Sequence, residues 1–87
     1  MKTAVWDTYV KKQNGETMHF DLIVPEEMTD QQTIFGYAKD YLKSKNQPYE
    51  NFGAEQSRFC HIESAKPSVQ DEIKKKGYYI VEMEGCD

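Results

Sequence analysis

The run Arg58-Phe59-Cys60-His61-Ile62-Glu63 carries a thiol, an imidazole and a carboxylate on a stretch that reads as a strand. An earlier strand-like run, Met18-His19-Phe20-Asp21, repeats the arrangement of a histidine and an acid two positions apart. Successive strand residues alternate between the two faces of a sheet, so each His/acid pair points to one side. Neutral imidazoles and carboxylates are ligands of divalent metals, and the same groups exchange protons in general acid-base catalysis. If the two runs share a sheet, the pairs can meet.

The face on which they meet follows from the apolar alternation. Met18, Phe20, Leu22 and Val24 form a core face, which sends His19 and Asp21 to the other side; Ile23 alone breaks the polarity. On the later run, Cys60 and Ile62 are the expected core set, which sends Phe59, His61 and Glu63 to the face of His19 and Asp21. The expected contact residues of a protein-interaction or ligand-binding surface are therefore Trp6, His19, Asp21, Phe59, His61 and Glu63. The alternative is a small metal-dependent or acid-base enzyme centred on His19 and His61, with Asp7, Asp21 and Glu63 completing a set for a divalent metal such as zinc. A polar open face is also what solvent alone requires.

Asp7 depends on the turn before strand two. A two-residue Asn14-Gly15 turn pairs Tyr9 with Phe20, Asp7 with Leu22 and Val5 with Val24, which leaves a carboxylate on the core side and Trp6 outside as a contact residue. A bulge or three-residue turn shifts the register by one and returns Asp7 to the open face. The shifted register is favoured, because the unshifted one also sends Val10 outward. Cys60 and His61 are consecutive and point to opposite faces, so they do not make a thiol-imidazole nucleophile, and Cys60 is expected in the core. Cys86 is expected in a fraying tail. Lys74, Lys75 and Lys76 suit the negative end of a helix dipole better than an anion site.

The positions of these residues depend on the elements around them. Ala4 to Val10 and Thr17 to Val24 form a hairpin. Thr29-Asp30-Gln31-Gln32 opens a helix, capped by Thr29 with Gln32 reaching back, that runs to about Lys45 with Ile34, Ala38, Tyr41 and Leu42 inward. Gly36 within it is expected to allow a close approach to the sheet. A loop over 46–56 is pinned by Tyr49 and Phe52. Ser57 to Ser64 is the third strand, Pro67 opens a shorter helix that stops at Gly77, and Tyr78 to Met83 is the fourth strand. The expected fold is α+β in the order β-β-α-β-α-β, one domain over 1–87. Its four-stranded mixed sheet begins with an N-terminal hairpin, strands two, three and four run parallel, and both helices pack on one face.

Composition limits the function classes. A chain of 87 residues holds one domain, which buries about 60% of its unfolded surface without metal or disulfides. Fifteen acidic against eleven basic residues leave a net charge of -4, which disfavours nucleic acid and anionic membrane as partners. An unknown protein or small ligand, or a second copy in a homodimer, fits better. Neither a signal-like apolar N-terminus nor a membrane-length apolar run is present, so a cytoplasmic location is expected, with free thiols at both cysteines.

Four stretches, Ala4-Val5-Trp6-Asp7-Thr8-Tyr9-Val10, Met18-His19-Phe20-Asp21, Arg58 to Glu63, and Lys76-Gly77-Tyr78 with Glu82-Met83-Glu84, resemble a small bacterial family known only as a domain of unknown function, serial number twenty twenty-four. The resemblance covers nearly the whole chain. It implies a small α+β domain and brings no catalytic residue, cofactor or partner with it.

Overall fold

The Lys12–Glu16 turn sets the register of the N-terminal hairpin. Gly15 takes a φ of +89°, a left-handed conformation that other residues resist, and the amide of Lys12 donates to the carbonyl of Glu16 at 2.8 Å. The connection therefore spans three residues, Gln13, Asn14 and Gly15, as a turn followed by a left-handed glycine. The consequence is a one-residue shift: Thr8 stands opposite Phe20, Asp7 opposite Asp21 and Tyr9 opposite His19. Asp7 is on the polar side, as the favoured register requires, and Trp6 moves inward to 9% exposure. Trp6 is thus a core residue and not a surface contact.

The structure, a computed structural model, describes residues 1–86; Asp87 lies outside the described residues. The elements are β1 (Lys2–Lys11), β2 (Thr17–Pro25), α1 (Gln31–Ser44), β3 (Ser57–Ser64), α2 (Pro67–Lys76) and β4 (Tyr79–Glu84). They make one four-stranded sheet in the order β3-β1-β2-β4. The element order, the hairpin and the α+β class are as the sequence predicts. Every hydrogen-bonded pair is antiparallel, however, so the sheet is not mixed. β2 and β3 do run in the same direction, but β1 lies between them, and β4 runs against both.

The two helices differ in what they must span. α1 leaves the Pro25 end of β2, and the chain returns through 46–56 to start β3 at the opposite end of the sheet. α2 instead joins Ser64 to Tyr79, and Tyr79 pairs with Ile23 at the same end of the sheet where β3 finishes. A ten-residue helix is about 15 Å long, close to three strand spacings of ~4.8 Å, which is the distance between the two edge strands. It crosses the sheet without running back along it, which makes β4 antiparallel. α1 already occupies one face, so α2 takes the other.

Two cores result. Ala4, Trp6, Phe20, Leu22 and Val24 pack against Ile34, Ala38, Tyr41 and Leu42 of α1, with Phe52 closing the side against Phe35 at 5.7 Å between rings. Val5 and Ile23, on the opposite face, pack against Ile73 and Val69 of α2 and Tyr79 and Val81 of β4. The helices therefore lie on opposite faces, contrary to the one-face expectation, and Ile23, the residue that broke the alternation, is the anchor of the second core.

Smaller expectations are also corrected. Asp30, not Thr29, precedes α1, and its carboxylate accepts from the Thr33 hydroxyl at 2.6 Å. A Cβ on Gly36 would meet nothing within 4 Å, so no close approach to the sheet requires that glycine. Gly77 does end α2 in the left-handed region, at φ +93°. The two cysteines exchange their expected environments: Cys60 is exposed and Cys86 is buried in the α1-side core, and both thiols are free. Among the described residues, no helix is long and apolar enough to cross a membrane.

Candidate functional site

α2 covers only the Val5–Ile23 end of its face. The rest of that face stays open, and β1 and β2 line it with Asp7, Tyr9, His19 and Asp21. The amides and carbonyls that pair β1 with β2 belong to even-numbered β1 residues, as the bonds Lys12 N–H to Glu16 and Glu26 N–H to Lys2 require. Asp7–Asp21 and Tyr9–His19 are therefore non-hydrogen-bonded pairs, the positions where opposing side chains come closest.

The closeness has different results in the two pairs. Tyr9 and His19 stack, with ring centroids 4.1 Å apart and planes 11° from parallel. That contact holds the imidazole over β1, where Nε2 meets Asp7 Oδ1 at 2.6 Å. Asp7 and Asp21 are two carboxylates facing each other. Burial, and then the negative charge of Asp7, raise the Asp21 carboxyl above its ordinary value, while His19 and His61 act in the opposite sense. One ligand atom from each of Asp7, His19 and Asp21 lies within 4.8 Å of the other two. All three residues are half-buried.

β3 contributes less than the sequence suggests. His61 stands opposite Val5 and Glu63 opposite Thr3, which places both on the open face with His19. They form their own pair, His61 Nε2 to Glu63 Oε1 at 2.9 Å, and remain outside the three-residue cluster. Phe59 is on the other face, beside Trp6 at 6.1 Å between ring centroids. The reason is a bulge: Trp6 pairs with Phe59 but Val5 with His61, so Cys60 is an extra residue that reverses the alternation. The same reversal explains why Cys60 is outside the core.

Two residues of the open face escaped the sequence reading. Tyr9 follows from the turn register and could be found only by recognising the three-residue loop. Arg58 stands opposite Asp7 and, with Tyr9, Glu55 and Gln56, lines a hollow of about 260 Å³ beside the carboxylate. Without knowledge of the bulge, Arg58 is assigned to the wrong face.

The family model described as "Domain of unknown function (DUF2024)" matches residues 1–83. The chain belongs to this family. The NMR structure of protein NE1680 from Nitrosomonas europaea is 39% identical to this DUF2024 chain, covers 100% of both chains and superposes with a TM-score of 0.84. No curated protein matches the chain. The family and its solved relative establish the DUF2024 fold and attach no activity to it.

Proposed function

We propose that this DUF2024 domain is a ligand-binding module whose ligand is a divalent cation held by Asp7, His19 and Asp21. The carrying observation is that two carboxylates and an imidazole bring their ligand atoms within 4.8 Å of one another. Around a zinc ion with ligands at about 2.1 Å, tetrahedral neighbours stand roughly 3.4 Å apart, so rotation of the two aspartate side chains suffices to close the site. Opposed carboxylates repel, and a cation relieves that repulsion more fully than one imidazole proton. His19 would bind as neutral imidazole and Asp21 as carboxylate, and because burial and Asp7 raise the Asp21 carboxyl, uptake of metal would displace any proton it holds. The hollow beside Arg58 is also lined by Asp7, which would leave room for water or an anionic ligand next to the cation.

The domain is further proposed to work in a bacterial cytoplasm. Two unpaired thiols suit a reducing compartment, and the solved relative comes from Nitrosomonas europaea.

Calorimetric titration of Zn²⁺ and of Mn²⁺ into the protein in two buffers of different ionisation enthalpy tests the reading. One site per chain with proton release supports it. Absence of binding heat and of any change in melting temperature at about 1 mM metal, a concentration that would reveal even millimolar affinity, rejects it.

A further inference from the structure

β3 is an edge strand, and both its exposed large apolar side chains, Phe59 at 53% and Ile62 at 42% exposure, point to the α1 side of the sheet. Its order of residue types is a chemical palindrome. About a point between Cys60 and His61, Ser57 mirrors Ser64, Arg58 mirrors Glu63 and Phe59 mirrors Ile62. We propose that β3 pairs antiparallel with β3 of a second copy about a two-fold axis through that point, joining the two sheets into one of eight strands.

The bulge decides whether this can close. Tyr9 N–H donates to Gln56 and Ala65 N–H to Met1, so the residues of β3 that bond to β1 are Arg58, His61 and Glu63 and their continuation at both ends. Phe59, Ile62 and Ser64 are left with their amides and carbonyls directed out from the edge, while Ser57, 2% exposed, is already covered. Phe59 and Ile62, both exposed, map onto each other under the same two-fold. A bulge normally blunts an edge. Here it lies on the axis, so both strands carry the same three-residue step between outward groups and stay in phase.

Side chains agree with the backbone. Phe59 of one copy meets Ile62 of the other on the α1 side, and Arg58 meets Glu63 on the open-face side, twice each by symmetry. The opposite edge, β4, offers no such match, since its Glu82 and Glu84 have no basic residue in the strand to oppose them. The occupant of the β3 edge is accordingly a copy of the same chain, independent of whether the aspartate–histidine cluster takes a metal.

Sedimentation equilibrium of the full chain at about 0.5 mM, where even a weak interface of tens of micromolar is filled, reads the association. A mass of twice 10.2 kDa is expected, and a monomer at that concentration overturns the proposal. Arg58→Glu and Glu63→Arg each place like charges across the axis and should each give monomers. Mixed in equal amounts, they restore both opposite-charge pairs and should form a heterodimer, which also shows that neither variant has lost its fold. A mixture no more associated than its components overturns the pairing. Ile62→Lys, at an exposed position, should also give a folded monomer; a dimer that survives it rejects the Phe59–Ile62 contact.

Discussion

Asp7 and Asp21 face each other directly across the β1–β2 ladder, with the His19 imidazole bound to Asp7 at 2.6 Å. The folded state therefore favours a protonated Asp21, whose carboxyl is raised by burial and by Asp7. The folded chain then binds more protons than the unfolded chain, and stability is lost as pH rises from the unfolded value near 3.8 through the raised folded value. Asp21→Asn should raise the urea midpoint at pH 7, with the gain shrinking toward pH 4. A midpoint that falls at pH 7 would contradict the crowding of the two carboxylates.

The two histidines should separate cleanly in a metal titration. Saturation at a hundred times the dissociation constant stabilises a folded protein by about 2.7 kcal/mol. His19→Ala should abolish that response, while His61→Ala, altering a residue paired with Glu63 outside the cluster, should keep most of it. Equal losses from both variants would show that β3 supplies a ligand after all.

Tyr41 and Glu82 tie α1 to β4 through a hydrogen bond from the phenol to the carboxylate, and Lys45 approaches the same carboxylate at 2.9 Å. The phenol and then the ammonium hold Glu82 below its ordinary value. Its contribution is present above the unfolded value near 4.5 and is lost as pH falls through the lowered folded value. With a carboxylate that is half-exposed, Tyr41→Phe should cost about 1 kcal/mol at pH 7 and less at pH 3, measured by urea unfolding at both. An equal cost at both pH values would assign the effect to packing alone.

Cys60 and Cys86 should differ sharply toward a thiol reagent. Cys60 is exposed on the bulge, whereas the Cys86 thiol is buried and points to the His19 carbonyl at 3.4 Å. Brief alkylation of the native protein followed by mass spectrometry should give one adduct, at Cys60, and two in denaturant. Comparable labelling of both in the native state would mean that the segment after β4 does not stay packed.

Phe20 is fully buried between the sheet and Tyr41, with ring centroids 4.7 Å apart. Phe20→Ala should cost about 3–5 kcal/mol, a large share of the stability of a domain this size. A loss under 1 kcal/mol in chemical unfolding would indicate that α1 collapses into the space.

Local chemistry alone made most of the elements legible. The alternation of Met18, Phe20, Leu22 and Val24 marks the α1-side face of β2, Pro67 and Gly77 bracket α2, and His19 with Asp21 is bound to the opposite face because strand geometry has a period of two. The same rule failed on part of β3, because one extra residue at Cys60 reverses Arg58 and Phe59 relative to His61, Ile62 and Glu63 and leaves no local signature in an exposed strand. Asp7 shows the intermediate case: its side follows from turn length, and Asn14-Gly15 suits both lengths until Gln13 is seen to join the loop.

Residue order by itself determined which side chains share a face within each strand, and that was enough to bring His19 and Asp21 forward as candidates. The neighbour of each strand, and the face each helix covers, were decided only by the tertiary structure. Strand order is set by long-range pairing, in which β3 and β4 take opposite edges and α2 must cross the uncovered face to join them. That crossing covers Ile23 and Val5 and stops short of Asp7 and Asp21, because a ten-residue helix spans the width of the sheet and not its length.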